Sequence, residues 1–215
     1  MALAIFDLDN TLIKGDSDYL WGEFLVKNNL VDQKWHHEQN AKFYRDYENG
    51  VLDINKWLEF QLKPLTEIPA ARLFTLRNEF IETTIKPIIL DKALKEIEKH
   101  NKNTLMIITA TNDFITRPIA DLFGIENLLA TEFEFIGDKY TGKIVGVPSY
   151  QDGKVIKLQA WLKERSLDLN GSFFYSDSHN DIPLLSLVDH PIAVDPDSKL
   201  KKYATQKGWK IISLR

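Results

Sequence analysis

Two aspartates spaced by two residues follow the first apolar run of the chain. The run Leu3 to Phe6 predicts a buried strand, and Asp7 and Asp9 come directly after it. Alternate residues of a strand point to the same side, so the two carboxylates share one face. Carboxylates this close repel each other, which favours a bound cation or an acid and base pairing. We interpret the pair as a magnesium site beside a nucleophile that handles phosphate. A strand followed by an Asx turn is the alternative.

A second polar segment follows another predicted strand, Thr104 to Ile108. The residues Thr109-Ala110-Thr111-Asn112 end this strand, and a helix is predicted from Asp113. A hydroxyl group and the backbone amides at the start of a helix form a cradle for an anion. Thr109 and Ala110 are therefore candidate phosphate ligands, although Thr109 could instead cap the helix.

Lys154 and two further aspartates complete the set. Lys154 opens a predicted helix, where a cation gains nothing from the helix dipole, so we expect an anion nearby; a solvated surface lysine is the alternative. Asp177 and Asp181 follow the predicted strand that ends at Ser176. Magnesium prefers oxygen ligands and keeps several waters, so Asp7, Asp177 and Asp181 fit a shared site. An Asx turn at Asp177 and a helix cap at Asp181 are the alternatives.

Composition excludes several classes of function. The chain has 215 residues, 27 Lys and Arg against 31 Asp and Glu, and a net charge of -4, which offers no positive field for nucleic acid or an anionic membrane. The sequence contains no cysteine, so disulfides, thiolate zinc sites and cysteine nucleophiles are excluded. Asp7 and Asp9 interrupt the first apolar run too early for a signal peptide or a membrane span. We expect a cytoplasmic protein that acts on a small soluble substrate.

The predicted elements bring these residues together. Strands and helices alternate through most of the second part of the chain, whereas Gly15 to about Thr84 carries aromatic residues at helical spacing and predicts four helices. We predict an α/β fold: a Rossmann-like, mostly parallel sheet with helices on both faces and an inserted all-helical cap. The predicted core covers 1–14 and 86–215, and the cap covers 15–85. Ligands of such sheets bind beyond the carboxyl ends of the strands, where the cap can act as a lid.

Together these motifs resemble the haloacid dehalogenase superfamily of phosphatases, in particular the phosphoserine-phosphatase-like subfamily IB with its helical cap. The resemblance implies that Asp7 is the nucleophile that forms an aspartyl-phosphate and that Asp9 is the acid and base. It implies that Thr109 and Lys154 hold the phosphoryl oxygens. It also implies Mg²⁺ on Asp7, Asp177 and the backbone carbonyl of Asp9, with Asp181 in the outer coordination sphere. We also predict substrate or phosphate contacts for Ala110 and Asn180.

The narrower resemblance concerns the substrate. Phe43-Tyr44-x-Asp46-Tyr47 in the cap, and two phrases of the core at 107–112 and 181–185, look most like bacterial histidinol-phosphatases. The resemblance therefore implies hydrolysis of histidinol phosphate. Phosphoserine or another small phosphorylated metabolite is the alternative substrate; a phosphotransferase or mutase and a non-catalytic phosphate-binding protein are the alternative functions. The chain is expected to act as a monomer or a homodimer.

Several cap residues are candidates for recognising the substrate. Asp16 could receive an ammonium group, and Arg45, Arg72 or Arg77 could hold a carboxylate, with Arg45 the best candidate. An imidazole could be met by Trp21, Trp35 or Glu38, although tryptophans at helical spacing can equally form the core of the cap. Of the histidines, His36, His37 and His100 are expected to be solvated, and His179 is expected to be a loop residue.

Overall fold

A seven-stranded sheet forms the centre of the molecule, whose computed structural model describes residues 2–215. The strand order is β4-β3-β2-β1-β5-β6-β7, and every pair is parallel except β3 with β4. The strands are β1 (Leu3–Phe6), β2 (Thr104–Asn112), β3 (Asn127–Ile136), β4 (Lys139–Val145), β5 (Phe173–Ser176), β6 (His190–Val194) and β7 (Lys210–Ile212). The predicted mostly parallel α/β fold is confirmed.

The apolar residues of β1 alternate between the two faces of the sheet. Ala4 and Phe6 belong to one buried cluster, and Leu3 and Ile5 belong to the cluster on the opposite side. The first cluster is completed by α5, α6 and the helical segment between β1 and α5, the second by α7, α8 and α9. These helices are α5 (Asp91–Glu98), α6 (Asp113–Leu122), α7 (Asp152–Arg165), α8 (Ile182–Leu185) and α9 (Ser198–Lys207). Because both faces are covered, the strand is apolar throughout.

Some predicted elements have different bounds in the structure. Strand β2 continues to Asn112, four residues beyond the predicted end. The two short strands predicted near Leu129 and from Glu132 are one continuous β3. The helix predicted over 182–188 is only α8, preceded by a 3₁₀ turn at His179–Asp181. Periodicity locates such elements but does not fix their ends.

Four helices lie between β1 and α5, as predicted. They are α1 (Ser17–Lys27), α2 (Gln33–Asn49), α3 (Ile54–Glu67) and α4 (Ala70–Phe80), and a π-helical turn follows at Ile81–Ile85. Trp21 is buried among aromatic side chains: it stacks on Phe24 and meets Phe80 and Phe114 edge to face. Trp21 is therefore part of the packed interior and not a substrate contact. The exact boundaries between core and cap at 14/15 and 85/86 stay a prediction.

Two segments that run side by side connect these four helices to the sheet. The Lys14 amide donates to the Ile88 carbonyl, and the Leu90 amide donates to the Leu12 carbonyl. Ile13 lies between them in a bridge with Ile89. The chain thus enters and leaves the helical segment through one hydrogen-bonded connection.

Two of the histidines expected to be solvated are buried. His36 is 2% exposed and packs on Phe60 at 4.6 Å between ring centroids. His100 is 6% exposed, and its Nε2 lies 2.8 Å from the Tyr175 hydroxyl. Both burials depend on partners far away in sequence. His37 is exposed, as expected. No helix of residues 2–215 has the length and apolar character needed to cross a membrane.

Candidate active site

Asp7 and Lys154 form a buried ion pair at the carboxyl end of β1. The Lys154 Nζ lies 2.8 Å from Asp7 Oδ1 and 2.8 Å from Asp181, and its side chain is 2% exposed. Gly153 permits close packing of the start of α7 against the preceding loop, since a Cβ there would stand 2.0 Å from the Pro148 carbonyl oxygen. The side chain of Lys154 points inward instead of into solvent.

Asp177 joins Asp7 through Thr11. The Thr11 hydroxyl lies 3.5 Å from Asp7 Oδ2 and 3.4 Å from Asp177 Oδ1, and it accepts from the Asp177 amide at 3.1 Å. Asp181 is the other partner of Lys154, and it also accepts from the Ser176 hydroxyl at 2.7 Å. The three aspartates predicted to share a site therefore meet around Lys154 and Thr11.

The donor set around Asp7 fits a hard divalent cation. Within residues 2–215 no group of three or more His, Cys, Asp or Glu side chains stands close enough to hold a metal ion. Magnesium, however, needs only one or two carboxylates and fills its other positions with water. Asp7 and Asp177 supply two carboxylates beside the Thr11 hydroxyl, and Lys154 offsets part of their charge. An oxygen-rich, net negative site of this kind suits magnesium better than a softer metal.

Asp9 is held by three donors from two elements, α1 and β2. The Ser17 amide, at the start of α1, donates to Asp9 Oδ1 at 2.7 Å. The Thr111 hydroxyl donates to Oδ2 at 2.9 Å, and the Thr109 hydroxyl lies 3.4 Å from the same oxygen. Thr109, predicted as a phosphate ligand, thus lies against Asp9 at the end of β2. These contacts fix the carboxylate at the rim of the same pocket as Asp7.

Burial and mutual repulsion favour the protonated forms of these carboxyl groups. Burial raises the pKa of Asp7 to about 7, against the lowering effect of Lys154 and with a further increase from Asp181 and Asp9. Burial, followed by the charge of Asp16, raises the pKa of Asp9 to about 6. The pKa of Asp177 also lies well above its ordinary value, because of burial and then of Asp7. A carboxyl group whose pKa is near neutrality can both give and take a proton.

A pocket lies between these groups and the helices α1, α2 and α3. The sheet side contributes the aspartates together with Thr109 and Ala110, and the helical side contributes mostly aromatic residues. The residues that line the pocket are Asp7, Asp9, Asn10, Asp16, Asp18, Tyr19, Asn40, Phe43, Tyr44, Tyr47, Leu52, Trp57, Thr109, Ala110, Thr111 and Asp177. Of the predicted site residues, Lys154 and Asp181 lie behind this wall.

Asn180 also lies outside the pocket wall, although it was predicted as a substrate contact. Its side-chain amide donates to the Tyr47 carbonyl at 3.1 Å. Its side-chain oxygen lies 3.3 Å from the Tyr150 hydroxyl and accepts from the Gln151 amide at 3.0 Å. Asn180 therefore ties the end of α2 to the loop that carries Asp177 and Asp181.

None of the three arginines proposed as a carboxylate clamp reaches the pocket. Arg45 is exposed and lines a neighbouring cleft beside Ile88. This cleft shares Asp16, Tyr19 and Tyr44 with the pocket wall. Arg72 is exposed on α4. The Arg77 guanidinium lies between the rings of Phe74 and Phe114 and donates to the Phe114 carbonyl at 3.1 Å. Within residues 2–215 the pocket wall contains no arginine or lysine. Trp35 and Glu38, proposed to meet an imidazole, are exposed on α2 and are not among its lining residues.

Several residues of the site were missed by the sequence analysis. Thr111 was named only as part of the polar segment that ends a predicted strand, but its hydroxyl makes a shorter hydrogen bond to Asp9 than Thr109 does. Asp18 lies in the same Gly15-to-Asp18 segment as Asp16, and it is buried in the pocket wall. The tyrosine hydroxyl of Tyr47 lies 3.2 Å from Ser178 Oγ. The spacing of two residues from Thr109 could have indicated Thr111. Tyr47 was named in the cap phrase at 43–47, but nothing in that phrase indicates its contact with Ser178.

Comparison with known proteins places this arrangement in a family. Residues 4–186 match the haloacid dehalogenase-like hydrolases. A relative from Neisseria meningitidis named histidinol-phosphatase is 44% identical over 219 residues, which cover 99% of each chain. A solved protein of unknown function from Bordetella pertussis Tohama I is 37% identical, with a TM-score of 0.93 over 100% of this chain and 99% of that chain. A phosphoserine phosphatase, solved as a phospho-aspartyl intermediate analogue, shares the fold at 17% identity, with a TM-score of 0.71 over 100% and 93% of the chains. The chain belongs to the haloacid dehalogenase-like hydrolases.

Proposed function

We propose that this hydrolase is a magnesium-dependent phosphatase that hydrolyses histidinol phosphate through an aspartyl-phosphate on Asp7. The observation that carries the proposal is the buried contact of Lys154 with Asp7 Oδ1 at 2.8 Å, beside the hydrogen-bonded carboxyl group of Asp9. One oxygen of Asp7 is held by the positive charge of Lys154, and the other lies 3.5 Å from the Thr11 hydroxyl. This arrangement presents a nucleophile and a proton donor on the same face of a strand end.

The reaction would take place in two steps. First, a carboxylate oxygen of Asp7 attacks phosphorus, the bond between phosphorus and the alcohol oxygen breaks, and Asp9 gives its proton to that oxygen. Second, Asp9 takes a proton from water, whose oxygen attacks phosphorus and releases phosphate and free Asp7. A pKa of about 6 allows Asp9 both roles near neutral pH.

Positive charge around the phosphoryl group is the main requirement of this chemistry. Asp7 and Asp177 would hold Mg²⁺, together with the backbone carbonyl of Asp9, and Asp181 would lie in its outer coordination sphere. The bound ion would neutralise the phosphoryl oxygens. Lys154 lowers the pKa of Asp7 against the larger effect of burial and orients its carboxylate, and Thr109 and the Ala110 amide are candidates to bind the phosphoryl oxygens. In this proposal Asp7 and Asp9 carry out the chemical steps, whereas Thr109 and Ala110 bind the phosphoryl group.

The substrate assignment is supported by the relative named histidinol-phosphatase and by the pocket wall. Phosphoserine carries a carboxylate, which would be expected to need an arginine or lysine. Those side chains are absent from the wall within residues 2–215, whereas carboxylates and aromatic rings are abundant there. Histidinol phosphate has an amine and an imidazole and no carboxylate, which suits this wall better.

The experiment measures phosphate release from histidinol phosphate, phosphoserine and phosphocholine with Mg²⁺ and with a chelator. We expect the highest kcat/KM for histidinol phosphate, and no turnover after chelation. Asp7→Asn should abolish turnover with the fold retained, whereas Asp138→Asn, at an exposed turn between β3 and β4, serves as the matched control. Full activity of Asp7→Asn would refute the assignment of Asp7 as the nucleophile. Transfer of phosphate to an alcohol in preference to water would indicate a phosphotransferase.

A further inference from the structure

Most carboxylates of the pocket already have partners. Asp7 contacts Lys154, and Asp9 accepts from Ser17 and Thr111. Asp16 caps α1, with its Oδ1 accepting from the Tyr19 amide at 2.8 Å. These contacts and the proposed magnesium ion account for the acidic groups at the sheet end of the pocket.

Asp18 is the exception. It lies in the first turn of α1, is 2% exposed, and belongs to the pocket wall. Its Oδ1 accepts from the Asn112 side-chain amide at 3.0 Å, but its buried Oδ2 has no hydrogen-bond partner among residues 2–215. A buried carboxylate oxygen without a donor is costly, so such an atom at a pocket wall indicates that a ligand supplies the donor.

The surroundings of Asp18 determine what kind of donor fits. The nearest charged groups are acidic: burial and then the charges of Asp16 and Asp9 raise the pKa of Asp18 well above its ordinary value. The same pocket wall also contains aromatic side chains, among them Tyr44 and Trp57. A cation next to carboxylates and aromatic rings gains from both. A carboxylate or a second phosphate on the ligand would be repelled.

We propose that Asp18 Oδ2 receives a protonated nitrogen of the leaving alcohol and so selects phosphomonoesters with a cationic nitrogen. This inference rests on the proposed phosphatase function and deepens it. Asp18 acts at the alcohol end of the substrate, while Asp7 and Asp9 act at the phosphate end. It is therefore a specificity determinant and takes no part in the bond-breaking steps.

The test compares two phosphomonoesters of similar size, histidinol phosphate and 3-phenylpropyl phosphate, which carries no nitrogen. The wild type is expected to prefer histidinol phosphate in kcat/KM by about tenfold or more. Asp18→Asn keeps an oxygen for Asn112 but replaces the free oxygen by an amide donor. In this variant we expect the preference to fall by roughly 10- to 100-fold, with the loss mainly in KM.

Glu23→Gln is the matched control, because it removes a charge from the same helix at a partly exposed position outside the pocket. It should keep the wild-type preference. Binding of the free alcohols, histidinol and 3-phenylpropanol, measured by calorimetry, gives a second readout that needs no turnover. Absence of hydrolysis would refute the proposed phosphatase function. The calorimetric preference for histidinol over 3-phenylpropanol would still test the recognition of a cationic nitrogen by Asp18. Equal kcat/KM values of the wild type for the two phosphomonoesters, or an unchanged preference in Asp18→Asn, would overturn the inference.

Discussion

Asp9→Asn should stabilise the metal-free protein while it removes activity. The pKa of Asp9 is raised from 3.8 to about 6, first by burial and then by Asp16, so the folded state favours its protonated form. A pKa about two pH units higher corresponds to about 3 kcal/mol of unfavourable free energy for the ionised group. Asp9 is partly exposed, and Thr111 must turn to meet the new amide, so we expect a net gain of about 1–2 kcal/mol.

The sign of the pH dependence follows from proton binding. Between the ordinary pKa and the raised one, the folded state binds more protons than the unfolded state, so the stability of the wild type falls as pH rises from about 4 to about 6. An asparagine does not titrate and lacks this contribution. The stability difference between Asp9→Asn and the wild type should therefore be largest at neutral pH and shrink towards zero as pH falls to about 4.

Urea unfolding with a chelator, at several pH values, measures this difference from the transition midpoints. Asp138→Asn, which changes an exposed aspartate at the turn between β3 and β4, controls for the loss of one negative charge. In parallel, kcat should fall by about 10²–10⁴ because proton transfer to the alcohol oxygen is lost. A variant that is less stable than the wild type at neutral pH, or a difference that does not shrink in acid, would refute the reasoning.

Two further perturbations test the buried charges elsewhere. Lys154→Met should destabilise the protein by about 3–5 kcal/mol, because it leaves two buried carboxylates unpaired, and a urea titration that shows little change would contradict the ion pair. Burial lowers the pKa of His36, so its contribution to stability is present above the unfolded pKa and is lost as pH falls below about 6.5. In His36→Phe, which keeps the ring contact with Phe60, the unfolding midpoint should fall less between neutral and mildly acid pH than in the wild type; an equal fall would assign the acid sensitivity to other groups.

The strand ends explain why the site was largely predictable from sequence. Asp7, Thr109 and Asp177 each end an apolar segment, and the carboxyl ends of parallel strands meet at one edge. Local pattern and topology therefore point to the same place. The prediction that Lys154 is close to an anion succeeded for a similar reason, since the start of α7 lies at that edge.

Residues whose role depends on helix rotation or on distant partners were not predictable. Arg45 lies on α2, the helix that also carries Phe43 and Tyr47, but it faces another cleft. His100 is buried beside Tyr175, which lies 75 residues later in the sequence, and the Tyr175 hydroxyl is hydrogen-bonded to its Nε2. Asp18 has the same residue type and nearly the same position as Asp16, and only the packed structure distinguishes the carboxylate that caps a helix from the one left without a donor.

The paired connection between the helical segment and the sheet links access to the pocket with chemistry. Any rotation of α1 to α4 against the sheet has to turn about Leu12 to Lys14 and their partners at Ile88 to Leu90. That pivot begins within three residues of Asp9, and the Ser17 amide just beyond it donates to the same carboxylate. Opening the entrance would therefore also move the Ser17 amide away from Asp9, so solvent would reach the pocket only while the proposed proton donor is out of position.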